Sequence, residues 1–498
     1  MQKKAIIIGS GFAGLSAASF MAKSGWKVTV VEKHDIPGGR ARKLEVSGFT
    51  FDRGPSWYWM PDVFERYFHL FGKKVSDYYE LKRLDPSYRV YWPEGHWDIP
   101  AGRKPLQDFF ESIEPGAGEQ LSKFLSEAAY KYQVGIHKLV HKPGQSLTEF
   151  IDADLIKGLF RLDVFQSMKT HVARFFKDAR LRELMEFPVL FLGALPEKTP
   201  ALYSLMNYAD MEGGTWFPAK GMYQIVQGMY DLALELGVEF HFGQEVSAID
   251  VQQGIATAVY TGGKPGESSA IRHTADVIIG GADYHHIETD LLPASYRTYS
   301  PDYWDKRVMA PGCLLYYVGL NKKLGPVPHH SLFFDTSFEV HGKEIYTTSE
   351  WPSDPLFYLN VTSVTDLSTA PPGGENLFIL IPVAAGLTDD TPELREHYFQ
   401  QVMDRLEKRF GQSIRDAIVV KQSVAPRDFI SDYHSFKGNA YGLANTLLQT
   451  AVLKPSMRSK KVKNLFFTGQ LTVPGPGVPP SLISGEVVAK EVNKLMNG

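Results

Sequence analysis

Three glycines near the N-terminus have the spacing of residues that bind the phosphates of a dinucleotide. Gly9, Gly11 and Gly14 directly follow the apolar run 5–8. Gly9 would allow a tight turn, Gly11 would let the backbone approach a pyrophosphate, and Gly14 would let a helix pack close to a strand. Glu32 stands 18 residues beyond Gly14, where a carboxylate can accept hydrogen bonds from a ribose diol.

A strand, a glycine turn, a helix and a second strand must hold these residues in place. The apolar run 5–8 predicts the first strand, and Lys27–Val31 predicts the second. The alanine-rich segment 15–22, which follows Phe12 and Ala13, predicts a helix. Its free N–H groups and positive dipole end would face the phosphates. We therefore predict dinucleotide binding; the alternative is an ordinary strand-to-helix turn.

The residues after Glu32 favour FAD over NAD. Gly38 and Gly39 would let the backbone pass close to the cofactor, and the guanidinium of Arg40 could donate several hydrogen bonds to the pyrophosphate. This extension resembles that of the large FAD superfamily of amine oxidases and carotenoid desaturases, which next brings the chain beneath the isoalloxazine ring. A solvated loop arginine is the alternative for Arg40. The predicted cofactor residues of this region are Lys33, Gly38, Gly39, Arg40, Gly54, Pro55 and Ser56.

A third cofactor element is predicted at the far end of the chain. Residues 464–469 have the pattern of a buried strand that ends in glycine, and the Pro/Gly-rich turn 474–480 precedes a helical run, 481–496. Such a helix would direct its positive end at the flavin pyrimidine ring and stabilise the reduced flavin. The alternative is a surface turn before a terminal helix. The predicted cofactor residues here are Gly469, Gly477, Val478 and Pro479.

Cofactor elements at both ends require a discontinuous FAD-binding domain. We predict an α/β fold with a Rossmann-like FAD-binding domain and a mixed sheet-plus-helix substrate domain. Helical periodicity and aromatic residues are frequent before residue 216, whereas apolar runs such as 314–318 and 376–382 predict strands. The predicted divisions are 1–85, 216–285 and 421–498 for the FAD-binding domain, 86–215 for a helical, membrane-facing substrate region, and 286–420 for the substrate-domain sheet.

Composition excludes several classes of function. The net charge of −3 gives no basic footprint for nucleic acid. The single cysteine, Cys313, excludes an internal disulfide and a multi-cysteine metal or redox centre, and it lies in an apolar run typical of packing residues. The 15 histidines show no carboxylate-supported spacing for a metal, so we expect no metal site.

The sequence predicts a cytoplasmic protein at the inner membrane face. We find neither a cleavable signal nor an apolar run of the length that spans a bilayer. The stretch 155–177 mixes bulky apolar and basic side chains, which suits either an interfacial helix or a helix packed on the core. A second nucleotide fingerprint is missing, so we expect oxygen or a quinone as the electron acceptor.

Several motifs together resemble bacterial-type phytoene desaturases, nearly from end to end. The first motifs are common to the FAD superfamily, and the later ones narrow the resemblance to carotenoid desaturases. The chain departs from the family at 472–475, where Thr-Val-Pro-Gly replaces a frequent His-Pro-Gly stretch. The motifs that carry the resemblance are Gly38–Arg40, Asp52–Pro55, Asp85–Arg89, Phe191–Gly193, Pro200–Tyr203 and the tail 475–479.

The resemblance implies desaturation of phytoene to lycopene or neurosporene, with hydride transfer to FAD. The substrate would be a long apolar isoprenoid collected from a peripheral membrane surface. In this family a valine at the position of Val246 contacts adenine through its backbone. Asp85 and Arg89 are candidate catalytic residues on the flavin side of the tunnel; a structural ion pair or loop anchor is the alternative.

Other functions remain open at this point. A later-step carotenoid desaturase, a carotene isomerase or a retinol-saturase-like enzyme would keep the same fold and cofactor. An amine or amino-acid oxidase would place a carboxylate-binding arginine or an aromatic pair at the flavin. A prenyl-lipid carrier without catalysis would have little need for the complete set of cofactor motifs.

Overall fold

Two sheets and the helices around them make up the fold. The computed structural model describes residues 2–146, 149 and 162–496, apart from the side chains of Phe191 and Leu447. One sheet is parallel and carries the strand–helix–strand unit predicted at the N-terminus, and the other is larger and mixed. The predicted α/β architecture with a Rossmann-like domain is confirmed.

The parallel sheet is assembled from distant parts of the chain. The strand Lys4–Ile8 lies at its centre, and the Phe12–Lys23 helix connects that strand to its neighbour, Lys27–Val31. Strands covered on both faces read as continuous apolar runs, and Ile7 and Val30 are accordingly fully buried. Across the sheet the strands run in the order Leu465–Phe467, Val277–Gly280, Lys4–Ile8, Lys27–Val31 and Glu239–His241.

The first and last helices pack against each other beside this sheet. The last helix spans Val478–Met496 and begins three residues before the predicted Ser481. A Cβ on Gly485 would lie 2.5 Å from Cβ of Ser16, so the close approach requires glycine there. The two termini of the chain are thereby joined in one layer.

The second sheet has seven strands and forms the floor of a large cavity. The strand Gly312–Leu320, second in the spatial order, is buried at every position. Neighbouring strands are antiparallel, except that His330–Phe333 runs parallel to Tyr88–Tyr91. The order is Ile418–Val424, Gly312–Leu320, Glu375–Val383, Phe357–Asn360, His330–Phe333, Tyr88–Tyr91 and His96–Ile99.

Strand membership differs in part from the sequence-based division of the chain. Two strands of the second sheet come from the region 86–215, which was predicted to be mainly helical. Another ends at Val424, beyond the predicted boundary at 420. Local periodicity could not assign Tyr88–Tyr91 to this sheet because its partner His330–Phe333 lies more than 200 residues away in sequence. His96–Ile99 joins the sheet only through its antiparallel pairing with Tyr88–Tyr91. The domain boundaries themselves remain predictions.

The remaining elements cover the two sheets. A three-stranded antiparallel sheet and two small pairs complete the β-structure: Val246–Gln252, Ile255–Thr261 and Ile271–Thr274; Lys43–Val46 with Phe49–Asp52; and Leu81–Arg83 with Trp216–Pro218. The other α-helices of the described part are Pro61–His69, Arg103–Ile113, Ala117–His137, Met168–Val172, Ala179–Glu186, Leu205–Met211, Tyr223–Glu235, Tyr284–His286, Pro301–Asp305, Phe338–Lys343, Pro392–Phe410 and Pro426–Tyr433.

The stretch 155–177 lies partly outside the described residues, which resume at 162. In its described part Met168 and Phe176 are fully buried, so these apolar side chains face the core. Phe165 is 91% exposed. Across residues 2–146 and 162–496, the structure contains no helix that is both long and apolar enough to cross a bilayer.

Candidate functional site

One large cavity lies between the parallel sheet and the seven-stranded sheet. Its volume is about 760 Å³, and its walls are mainly apolar. The structure brings the separate N-terminal, middle and C-terminal motifs together in its wall. All the residues predicted to bind the cofactor line it except Gly14: Gly9, Gly11, Phe12, Ala13, Glu32, Lys33, Gly38, Gly39, Arg40, Gly54, Pro55, Ser56, Val246, Gly469, Gly477, Val478 and Pro479.

Gly14 contributes to the turn without reaching the cavity. A Cβ on Gly14 would overlap the carbonyl oxygen of Gly9, which itself has φ +94°. A Cβ on Gly11, by contrast, would meet nothing within 4 Å. The first helix then begins at Phe12 without a side-chain cap or an acidic residue in its first turn. Its N–H groups are therefore placed for an anion.

Glu32 is held rigidly at the end of its strand. One carboxylate oxygen accepts hydrogen bonds from both the backbone N–H and the hydroxyl of Ser10, each at 2.7 Å. The other accepts the N–H of His34 at 2.9 Å. The side chain is buried and faces the cavity, as the ribose interaction requires.

Arg40 carries a buried donor without a partner. Its Nε atom has no hydrogen-bond acceptor among the described side chains and backbone groups. One terminal nitrogen donates to Ser435 Oγ at 2.9 Å, and the guanidinium lies 5.4 Å from the ring centre of Tyr433. Burial lowers the pKa of Arg40. An orphaned donor on a buried cation fits an anionic group such as the FAD pyrophosphate.

A helix near the C-terminus closes this end of the cavity. Its last residues, Asp432 and Tyr433, and the following His434 line the wall beside Lys33, whose Nζ donates to Ser431 O at 2.7 Å. Sequence analysis missed this helix because the segment carries no motif. Its proximity to Glu32 and Arg40 arises only from the tertiary fold.

The C-terminal turn forms the opposite wall of the cofactor end. Pro479 and Pro480 occupy the first turn of the last helix, where no intrahelical N–H is required. Lys454, which sequence analysis also missed, lies directly behind this turn with 5% of its surface exposed. Its Nζ donates to Asn445 Oδ1 at 2.8 Å. Burial lowers the pKa of Lys454 to about 7.

The rest of the cavity is apolar and aromatic. His341 is one of its few polar groups, and both ring nitrogens are occupied: Nδ1 accepts from Leu356 N, and Nε2 donates to Pro382 O. Burial lowers the pKa of this histidine to about 4, so the ring is neutral. Apolar and aromatic residues of this end include Trp57, Phe187, Leu332, Phe334, Phe338, Leu356, Tyr358, Leu380 and Tyr441.

Most charged residues of the described lining lie at the cofactor end; Lys142 also lines the cavity, close in sequence to Leu139 and Val140. Four carboxylates line this end. Glu32 is itself a predicted cofactor residue, Glu245 lies 3.8 Å from Lys33, Asp283 interacts electrostatically with Arg40, and Asp432 pairs with Arg42 at 3.2 Å. Among the described residues that line the cavity, Arg40 is the only arginine. The apolar end is therefore suited to a hydrocarbon and not to a carboxylate or an amine.

Asp85 and Arg89 do not face the cavity, and their assignment to the flavin side of the tunnel is corrected. Asp85 is exposed, and its Oδ1 accepts the N–H of Ala101 at 3.1 Å. Arg89 forms a bidentate ion pair with Asp98, at 2.6 and 2.9 Å. Tyr88, next to Arg89 in the strand, points to the opposite face and is buried in the core, where its hydroxyl donates to Asp210 at 2.8 Å.

A cluster outside the cavity has the composition of a metal site. Single ligand atoms of Glu127, Asp163 and His171 lie within 4.8 Å of one another. Lys131 Nζ is 2.9 Å from Asp163 and 3.3 Å from His171 Nε2. The lysine ammonium supplies the positive charge of this cluster, which explains it without a metal ion.

Comparison with known proteins identifies the family. Residues 12–493 match the model of the flavin containing amine oxidoreductases. The chain is 40% identical over 487 residues to the carotenoid 3,4-desaturase of Haloarcula japonica, covering 97% of each protein. The chain belongs to the carotenoid desaturases of this family. The resemblance found in the sequence is confirmed, and this desaturase family member is an FAD-dependent oxidoreductase.

A further relative agrees with this family, and solved structures share the fold. The zeta-carotene-forming phytoene desaturase of Myxococcus xanthus is 32% identical, with 98% of this chain and 94% of that protein covered. A solved putrescine oxidase superposes with a TM-score of 0.64 at 12% identity, covering 99% of both chains. An oxidoreductase from Methanosarcina mazei gives 0.62 at 16% identity, with coverage of 98% and 100%. These structural similarities support the fold alone.

Proposed function

We propose that the protein desaturates a carotenoid, a long apolar isoprenoid, at the apolar end of the cavity. The observation that carries this proposal is the separation of the cavity into a charged cofactor end and an apolar end. Carboxylates and Arg40 of the described lining lie at the cofactor end, whereas Leu332, Phe334 and Leu380 are typical of the other. A hydrocarbon chain is bound by such walls through burial of apolar surface.

FAD, when bound, would supply the acceptor for a hydride from an allylic carbon, and the residues of this chain would position and shield the substrate. Phosphate and ribose contacts would come from the first helix N-terminus, Arg40 and Glu32. Aromatic walls such as Trp57 and Tyr358 would align the polyene and exclude water. Loss of the hydride would leave a cation whose neighbouring C–H bond is strongly acidic, so a weak base such as a single water molecule would suffice to accept the proton and complete the double bond.

We further propose that the reaction is desaturation of the C3–C4 bond. Identity to the Haloarcula japonica carotenoid 3,4-desaturase is 40%, against 32% for the phytoene desaturase from Myxococcus xanthus. Desaturation of phytoene to lycopene or neurosporene, which the motifs implied, is the second candidate. The match to that phytoene desaturase over 98% of the chain favours it. An amine oxidase is disfavoured by the apolar walls.

Two further parts of the function are proposals as well. The absence of a second nucleotide fingerprint in the sequence favours oxygen or a quinone as electron acceptor. The apolar substrate favours a cytoplasmic protein bound peripherally to the inner membrane, because carotenoids partition into lipid.

Pigment analysis in two host strains tests the proposal. One strain accumulates phytoene and the other lycopene, whose C3–C4 bonds are saturated. We expect a carotenoid with a longer conjugated system in the lycopene strain only. Glu32→Ala should abolish it, whereas the exposed control Glu45→Ala should not. Conversion of phytoene would instead support the second candidate, phytoene desaturation. Unchanged pigments in both strains would contradict carotenoid desaturation.

A further inference from the structure

Lys454 is a buried cation without a carboxylate partner. Its side-chain nitrogen donates to Asn445 Oδ1 at 2.8 Å, and the residue is 5% exposed. No ion pair joins it to an acidic residue in the part of the chain that the structure describes. Burial alone lowers its pKa to about 7. A buried ammonium in this state is unfavourable unless another group supplies negative charge.

Lys454 lies at the cofactor end of the cavity, so the negative charge that its ammonium requires must also lie at that end. Gly475 has φ +137°, which favours glycine, and a Cβ there would lie 2.6 Å from the lysine nitrogen, so a side chain at this position would push the ammonium away. Pro474 and Pro476, on either side of this glycine, line the cavity, and so does Asn445. The ammonium therefore stands directly behind the turn 474–477.

The N-terminus of the last helix is a second positive feature beside the same turn. The last helix begins at Val478, and its N-terminal end carries the positive pole of the helix dipole. A cation and a helix N-terminus at one place repel each other unless an anion lies between or beside them. The proposed substrate is an uncharged hydrocarbon, so the negative charge must come from the cofactor.

We propose that Lys454, held by Asn445, is a positioning residue that stabilises the negative charge gained by FAD on reduction. The positive charge of the ammonium is separated from the cavity by the turn 474–477, and it adds to the positive pole at the N-terminus of the last helix. Gly475 is required because any side chain there would displace the ammonium. This inference rests on the proposed use of the cavity by FAD and deepens it, since it concerns the flavin and not the carotenoid.

The test is the equilibrium of flavin reduction in the purified holoenzyme. Lys454→Met removes the charge while keeping side-chain length. The equilibrium constant for two-electron reduction, measured anaerobically against a redox dye, should fall by about tenfold or more. Lys460→Met removes the same charge from an exposed position outside the cavity wall and should leave the constant unchanged.

The outcomes separate this inference from the proposed function. An unchanged reduction equilibrium in FAD-loaded Lys454→Met would overturn it. Lys454→Gln provides a second neutral variant that can still bond to Asn445, and it should show the same fall. Failure of both variants to load FAD would also overturn it, since Lys454 would then serve to build the fold. The readout needs no carotenoid, so an enzyme inactive on carotenoids would contradict the proposed function alone.

Discussion

Gly9 and Gly14 are packed so closely that a Cβ on Gly14 would overlap the carbonyl oxygen of Gly9. The contact joins the first helix to the end of the central strand. Gly11 lies between them in sequence, but the space around its Cβ position is empty and opens on the cavity. The same glycine motif therefore contains one residue needed by the fold and one needed by the ligand.

Alanine substitutions at Gly14 and Gly11 should separate these two roles. Gly14→Ala should destabilise the apo-protein by about 1–3 kcal/mol, since the added methyl forces the helix away from the strand. Gly11→Ala should leave apo stability unchanged and weaken FAD binding by about tenfold or more, because its methyl occupies the space for the pyrophosphate. Thermal unfolding without FAD and fluorescence titration with FAD measure the two effects. Equal behaviour of the two variants would contradict this division.

Arg40 should contribute to FAD affinity through its fork of donors. Replacing it with methionine should weaken binding by about tenfold to a hundredfold, the value of one or two hydrogen bonds to a charged group. Arg40→Lys should restore little, since an ammonium lacks the planar geometry. Isothermal titration of the apo-protein measures the change. The matched control is Arg272→Met, at an exposed arginine that pairs with Asp250. Wild-type affinity in Arg40→Met would exclude Arg40 from the cofactor site.

Asp210 should make stability fall as pH rises from about 4 to 7. Burial raises its pKa from 3.8 to about 7, although Tyr88 and Thr215 donate hydrogen bonds to it. In this range the folded state binds more protons than the unfolded state, so a rise in pH favours unfolding. Asp210→Asn should therefore flatten the profile and be more stable than the wild type by about 1–3 kcal/mol at pH 8. Denaturant unfolding across this pH range is the measurement, and parallel profiles would contradict the assignment.

The ion pair of Arg66 with Glu486 should help to hold the last helix in place. Two hydrogen bonds, at 2.6 and 2.8 Å, join the guanidinium to a carboxylate that is almost fully buried. Hydrogen bonds from Arg66 and Lys490 outweigh burial and hold the pKa of Glu486 at about 2, so this stabilisation is present above pH 4.5 and is lost as pH falls towards 2.

Arg66→Met should destabilise the protein by about 1–3 kcal/mol at pH 7, because Glu486 then loses its bidentate partner while Lys490 remains. The double variant Arg66→Met/Glu486→Met should recover most of the loss, since no buried carboxylate is left unpaired. Denaturant unfolding of four proteins, the wild type, Arg66→Met, Glu486→Met and the double variant, forms the test. Additive losses in the double variant would show that the two residues do not interact.

Sequence analysis could place residues whose relation is local. The glycine motif, Glu32 and the flanking strands lie within one strand–helix–strand unit, and their spacing alone determines which side of the sheet they share. Lys454, Asn445 and the Asp432–His434 segment reach the cavity only through tertiary packing, so no local pattern marks them. Asp85 and Arg89 were misplaced for a different reason: the motif was recognised, but Asp85 is exposed and lies before the strand, and Arg89 points to the face of the strand opposite the buried Tyr88.

The most direct test of the central claim is a single turnover of the purified holoenzyme without oxygen. A carotenoid with a saturated C3–C4 bond is supplied in liposomes, and flavin and carotenoid spectra are followed together. We predict bleaching of the flavin in step with a red shift of the carotenoid, one new double bond per FAD, and neither change in apo-protein prepared from Glu32→Ala. Flavin that stays oxidised with this carotenoid and with phytoene, in a protein that binds FAD, would contradict the claim.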